Sequence, residues 1–365
     1  MKKNFFLAAL AGVALVGCAK NEVAQVTDDS QREITFAAPV MSVTTKTQEI
    51  PETVYPTSAP SFGVYGWYVA GATYDASAAT EYMRNVEVKR DPSIDKTDDT
   101  GDKGAWISDK AYYWPKQGSI TFDAYSPYDN VNTLVTCDKA NGLTITGFGV
   151  TNVLDDQVDL LYSTRAYDKT SSKGTTNDMY DGVDIVFNHA LSVVKFTAKT
   201  AEDYASTTTI KVTKIQIVDA LTKATFEQNV DNSTKTDDPK WISYTADKAT
   251  FTSLDKAEDV VTALSTSPAN CGVSMIVLPQ DFTASTKLYI EYYIQTGSSA
   301  PIKQTFEIPL NDSGFSYTEG GSTVTVTGWE IGKRYTYNLS IGLDKIYFAP
   351  SVTNWKDVDV TVPQI

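Results

Sequence analysis

Tyr335-Thr336-Tyr337-Asn338-Leu339-Ser340-Ile341-Gly342-Leu343 places Tyr335, Tyr337, Leu339, Ile341 and Leu343 on one side and small or polar residues on the other. A repeat of two is that of an extended strand with one buried face, whereas a helix brings its apolar residues round every three or four. The same alternation recurs along the chain. Leu288, Ile290, Tyr292 and Ile294 form one set, and Ile302, Phe306, Ile308 and Leu310 another. Upstream lie Ile34, Phe36, Ala38 and Val40, then Ile120, Phe122 and Ala124, then Val158, Leu160 and Tyr162, then Val183, Ile185 and Phe187. The supply of Thr, Val, Ile and Tyr suits strands. Helical periodicity is confined to a short stretch from Asp255 to Leu264. Strands separated by Gly, Asn, Asp and Ser loops predict an all-β fold of antiparallel sandwiches.

The N-terminus carries a different signal. Lys2-Lys3, an apolar run from Phe5 to Val16, and Leu15-Val16-Gly17-Cys18 have the order of a secretory signal with a cysteine at the cut. The run is shorter than the roughly 20 apolar residues of a spanning helix. Residues 1–17 are therefore expected to be removed, leaving Cys18 lipidated on its thiol and amino group and holding the chain to a bacterial membrane. Residues 18–32 are polar and aperiodic, as in a flexible tether.

Removing Lys2 and Lys3 takes the formal charge from -14 to -16. Nucleic acid is thereby an unfavoured partner, because phosphate binding needs clustered Lys and Arg. The length after residue 17 accommodates two domains of about 150 to 180 residues. A boundary at 188/189 gives an N-terminal sandwich over 33–188 and a C-terminal one over 189–365, because the long strand-like run from Val183 to Phe196 can end one and open the next. With Cys18 lipidated, Cys137 and Cys271 remain, either as small buried residues or as a pair in an oxidising compartment.

Chemistry is poorly supplied. The single histidine, His189, alternates within Phe187-Asn188-His189-Ala190-Leu191 and reads as a half-buried or junction side chain. One histidine and no CxxC pair exclude the usual zinc ligand sets. The acidic loop with Asp95, Asp98, Asp99 and Asp102 lacks the spacing of a calcium-binding loop and its closing glutamate. Phosphate-binding and dinucleotide-binding glycine motifs are missing. No catalytic residue, metal or cofactor is expected, and the chain does not read as an enzyme. Tyr65-Gly66-Trp67-Tyr68 and Tyr112-Tyr113-Trp114-Pro115 offer aromatics that could stack on sugars, but Phe62, Val64 and Tyr68 alternate with Tyr65, Trp67 and Val69. Both faces of that strand are apolar, which predicts burial on both sides. Trp241, Trp329 and Trp355 stand at strand edges or turns, where an indole can fill a corner and still bond its N–H.

These segments, in this order, resemble a known family. Glu33-Ile34-Thr35-Phe36-Ala37, Phe62-Gly63-Val64-Tyr65, Tyr113-Trp114-Pro115 and Phe122-Asp123-Ala124-Tyr125-Ser126-Pro127 are similar to the N-terminal part of the fimbrillin-like proteins of Bacteroidales. Gln157-Val158-Asp159-Leu160-Leu161, Phe187-Asn188-His189-Ala190-Leu191, Val277-Leu278-Pro279-Gln280, Trp329 with Gly332-Lys333-Arg334-Tyr335-Thr336-Tyr337, and Phe348-Ala349-Pro350-Ser351-Val352-Thr353-Asn354-Trp355 continue the likeness. The resemblance implies two transthyretin-like β-sandwich domains in tandem and a subunit of a type V pilus on the cell surface, contributing to adhesion. Its implied partners are other pilin subunits, the outer membrane through the lipid before maturation, and a host or bacterial surface ligand.

The resemblance further implies that a protease removes the lipidated first strand (Ile34, Phe36, Ala38, Val40) and that a strand from another subunit fills the groove. The family's cut follows an arginine just after that strand. Here the only basic residue between Val40 and Phe62 is Lys46, and Arg32 precedes the strand, so a cut at Arg32 would leave the groove plugged. A donor is available at 356–365, where Val358, Val360 and Val362 alternate with Asp357, Asp359 and Thr361; an extended peptide of this kind can complete an open sheet. The same residues also suit the last strand of their own domain. The alternative function is a non-polymerising surface lipoprotein that binds glycans through exposed aromatics such as Trp67 or Trp114.

Overall fold

In the longest sheet, the strand Ser119–Ser126 lies between Phe62–Val69 on one side and Leu161–Ser163 and Ala166–Lys169 on the other. The computed structural model describes residues 32–37, 39–41, 55, 61–91, 97–98, 101–102, 106–129, 131–171, 182–312, 315–319, 321–343 and 346–354. Within these the chain is nearly all β, and its helical elements are the two 3-10 turns Leu154–Asp156 and Glu258–Val260. The second of these is all that forms of the helical stretch expected between Asp255 and Leu264.

The long sheet runs, in spatial order, Val40–Met41, Val186–His189, Leu161–Ser163, Ser119–Ser126, Phe62–Val69, Thr80–Arg90 and Trp106–Ser108. The strands of Ser119–Ser126 and its neighbours are antiparallel, as their alternation predicts, but burial differs. All eight residues of Ser119–Ser126 are buried, including Thr121 and Asp123. The reason is layering. Ile120, Phe122 and Ala124 enter one apolar core with Phe62, Val64 and Phe187, while Tyr125 enters a second core on the opposite face. Phe62–Val69 is likewise buried on both faces apart from Tyr68, as its sequence predicts.

The C-terminal half packs a sheet of Ala269–Asn270 and Met275–Val277, Ser192–Thr200, Lys333–Ile341 and Ile346–Asn354 against one of Lys248–Asp255, Thr208–Leu221, Lys287–Thr296 and Ile302–Pro309. Tyr335, Tyr337, Leu339 and Ile341 point into this sandwich, as do Leu288, Ile290 and Tyr292. Leu343 and Ile302, expected with them, are exposed because each lies at or beyond a strand end. A further four-stranded sheet joins Val135–Asp138 and Gly142–Gly149 to Lys223–Glu227 and Lys240–Ile242. The chain thus passes from one sheet to another between His189 and Ser192, while the pairing of 142–149 with 223–227 ties together residues from either side of that point.

Several buried polar side chains are paired within these layers. Arg165 and Asp123, both with fully buried side chains, meet in a bidentate pair: Nε donates to Oδ1 and Nη2 to Oδ2, each at 2.9 Å. The Trp67 indole N–H donates to the same carboxylate at 3.1 Å. The remaining guanidinium hydrogens go to the carbonyls of Lys139 and Asp138 and to Asn232 Oδ1. Burial on its own would lower the guanidinium pKa; the adjacent Asp123 charge outweighs it and holds the group above its ordinary value. Trp241 donates to the Ala190 carbonyl at 2.7 Å and Trp329 to the Tyr337 hydroxyl at 3.3 Å, the corner-filling arrangement expected of them.

A single-partner deletion in the Asp123–Arg165 pair leaves a buried charge without its counterion, which costs about 3 to 5 kcal/mol. Arg165→Met is accordingly expected to lower the urea midpoint sharply, and adding Asp123→Leu to recover much of the loss. Equal midpoints for the single and double variants would overturn this, showing that Asp123 left without Arg165 carries no such penalty.

Candidate functional site

Main-chain groups at the two ends of the long sheet need partners, and residues 32–37 supply them at both ends. Phe36 N donates to the Trp106 carbonyl at 2.8 Å and Trp106 N returns the bond at 3.3 Å. On its other edge the same segment pairs in parallel with Val183: Val183 N donates to Thr35 O at 2.8 Å and Ala37 N to Val183 O at 3.0 Å. Further bonds run from Ile34 N to Tyr112 O and from Trp114 N to Arg32 O. Trp106–Ser108 is one end of the sheet, and Val40–Met41 lies parallel to Val186–His189 at the other. The N-terminal ribbon therefore closes the sheet on itself.

The side chains agree. Ile34 and Phe36 are fully buried, and Phe36 packs edge-on against Phe62 and Phe122 with ring centroids 5.7 and 5.8 Å away. Each contributes about 1.5 to 3 kcal/mol through burial. Val40 pairs through its backbone with Val186; its side chain, and Ala38 altogether, lie outside the described residues. The simple two-faced strand predicted for 34–40 is not what forms. Ala37 and Pro39 are buried as well, and the hydrogen bonds are isolated bridges followed by the two-residue strand Val40–Met41. Proline has no N–H to give to a ladder, so pairing breaks at Pro39. Its carbonyl instead accepts from Tyr55 N at 3.3 Å.

Tyr55 is a part of the site that sequence reasoning missed. Its ring stacks on Phe187 at 5.5 Å and meets Phe62 and Trp106 edge-on, while its hydroxyl shares a 2.7 Å hydrogen bond with Ser126 Oγ. Burial pushes the phenol up to about 12, against the opposing effect of the Ser126 bond. The only signal for it was an aromatic residue between Pro51 and Pro56 in a polar stretch.

Arg32 begins the ribbon, with its carbonyl engaged by Trp114. Cys18, Lys46 and the tail valines Val358, Val360 and Val362 lie outside the described residues. Cys137 and Cys271 are free thiols, both raised in pKa chiefly by burial. His189 is more buried than expected, with Nδ1 2.9 Å from Asp159 Oδ2. Among the described residues no group of His, Cys, Asp and Glu is arranged to hold a metal ion. Trp67 and Trp114, the supposed sugar platforms, are buried and give no face to solvent; Tyr113 beside them is about half exposed.

Comparison with known proteins agrees with this architecture. Residues 56–355 match the fimbrillin-like family. The fimbrium subunit Fim1C of Phocaeicola vulgatus is 22% identical, the alignment covering 98% of this chain and 97% of that protein. The crystal structure of a fimbrial protein from Bacteroides vulgatus superposes with a TM-score of 0.63 at 17% identity, over 89% of this chain and all of the other. The last likeness is one of fold, and the family match extends over most of the sequence: the chain belongs to the fimbrillin-like family.

Proposed function

We propose that this protein is a structural subunit of a surface fimbria, exported as an outer-membrane lipoprotein through Cys18 and polymerised by strand exchange at the site of the N-terminal ribbon. The observation that carries the reading is the closure by residues 32–37. Removing this one segment exposes unpaired N–H and C=O groups at 106–114 and at 183, together with the apolar slot left by Ile34 and Phe36. An added strand satisfies both needs. A cut after Lys46 releases the whole ribbon, whereas a cut after Arg32 leaves Ile34 and Phe36 in place. The tail at 356–365 follows the edge strand Ile346–Asn354 and has the alternating valines of a donor. The glycan-binding alternative loses its basis at Trp67 and Trp114, because both rings are buried.

Sequencing the N-terminus of protein recovered from the cell surface tests the maturation step. Thr47 is the expected first residue, and Cys18→Ala is expected to leave an uncut or mislocalised precursor. Protein beginning at Glu33, or still acylated at Cys18, would mean that the ribbon stays in place and that the subunit is a trimmed or uncut anchor.

Deleting 356–365 is expected to leave the monomer's thermal unfolding unchanged and to abolish fibres seen by electron microscopy. Val358→Lys with Val360→Lys is expected to do the same by placing charge in the slot. A marked fall in melting temperature would assign the tail to its own sandwich, and intact fibres would exclude donation.

A further inference from the structure

Away from the ribbon, an open cleft of about 570 Å³ lies where three short segments of the C-terminal half converge beside Leu221, at the end of Thr208–Leu221. Lys240–Ile242 and the turn after it bring Trp241 and Tyr244, and the paired strands Gln280–Asp281 and Gly328–Trp329 bring Pro279, Asp281, Trp329 and Glu330. Ser243 takes a left-handed conformation, φ 52°, which turns the chain at Tyr244. The Tyr244 hydroxyl donates to the Pro279 carbonyl at 2.7 Å, so this ring is held in place while 39% exposed.

The hydrogen-bonding inventory of the cleft is one-sided. Its side-chain donors are already committed: Tyr244 to Pro279, Trp241 to the Ala190 carbonyl, Trp329 to Tyr337, and the Gln280 amide to the carbonyls of Leu221 and Leu278. What remains are the exposed carboxylates of Asp281 and Glu330, for which the described residues provide no ion-pair partner. Among the described residues no Lys or Arg lines the cleft. The charge of Asp281 is felt at the aromatic wall, where it adds to burial in pushing the Tyr244 phenol up to about 12.

Such a surface favours a ligand that only donates and is cationic. Phosphate and sulfate groups are repelled. A neutral sugar can donate to the two carboxylates but brings as many acceptor oxygens, for which no side-chain donor is free. A guanidinium meets every condition: it is planar enough to lie on the Tyr244 ring, carries five N–H donors and no acceptor, and pairs with carboxylates. We propose that this cleft binds an arginine side chain of an extracellular peptide, stacked on Tyr244 and hydrogen-bonded to Asp281 and Glu330. A lysine ammonium fits less well because it lacks the planar stacking face. The site needs no strand exchange and functions in the monomer.

The test is calorimetric titration of the purified full-length chain with acetyl-Gly-Arg-Gly-amide, beside the same peptide with citrulline or lysine in place of arginine, and maltoheptaose. Arginine peptide is expected to bind, with citrulline weaker by about tenfold or more, since the loss is that of a charged hydrogen bond. Added salt is expected to weaken the interaction. Asp281→Asn and Glu330→Gln, both at exposed side chains, are each expected to weaken it by about tenfold at unchanged melting temperature. Tyr244→Phe, which keeps the ring, is expected to retain more affinity than Tyr244→Ala. The proposal is overturned by equal binding of the citrulline peptide, by undiminished binding in the Asp281→Asn/Glu330→Gln double variant, by preference for maltoheptaose, or by no saturable binding at millimolar peptide in calorimetry and in a change of intrinsic fluorescence.

Discussion

A sheet with two free ends has two rows of unsatisfied main-chain groups, and in this protein one short segment answers both. Phe36 exchanges hydrogen bonds with Trp106, while its neighbours Thr35 and Ala37 bond to Val183. The two ends are far apart in sequence and become neighbours only through the ribbon between them. Each hydrogen bond is worth about 0.5 to 1.5 kcal/mol net, but leaving a buried partner unsatisfied costs about 1 to 3 kcal/mol. Closure is therefore enforced more by the penalty of an open edge than by the gain of each bond. The burial of Ile34 and Phe36 adds to it, because the slot they fill is lined by Phe62, Phe122 and Trp106.

The buried Asp123–Arg165 pair imposes a second constraint, and it reaches across the fold. Arg165 holds Asn232, Asn232 Nδ2 holds the Ala140 carbonyl at 2.6 Å, and Lys235 pairs with Asp168, which in turn accepts from Tyr74 N. A polar loop around 231–238 is thereby clamped onto strands from the first half of the chain. Together with the pairing of 142–149 and 223–227, this makes the second half part of the support for the first.

The strands that could be read from sequence are those with one face on a core and one outward. Lys333–Ile341 and Lys287–Thr296 alternate for that reason, and their inward residues are the ones expected. Ser119–Ser126 shows the limit: Asp123 alternates with apolar residues and reads as outward, yet it is buried because Arg165 neutralises it. A charged residue in an otherwise apolar strand was the available signal, but its partner 42 residues away carries none. Ribbon closure was half legible. Alternation marked Ile34 and Phe36, whereas the contacts with Trp106, Val183 and Tyr55 are long-range pairings that no local period encodes. The acceptor cleft was illegible for a similar reason. Its walls come from four separate segments, each of which alone reads as a turn or a strand end.

The two cores depend unequally on the ribbon, so its removal, as proposed above, is compatible with a stable protein. Ile34, Phe36 and Met41 belong to the smaller core, with Phe62, Phe122 and Phe187. The larger core, which includes Phe196, Ile217, Leu288, Tyr335 and Tyr337, takes none of the described residues of the ribbon. Release of the ribbon in the proposed exchange therefore strips apolar contacts from one core and leaves the other whole. The strand Ser119–Ser126 contributes to both, with Phe122 on one face and Tyr125 on the other, and Asp123 is fixed by Arg165 between them. In that proposed exchange the intact core holds the wall of the slot in position, so that a donor strand would meet a preformed groove and lose less conformational entropy on binding.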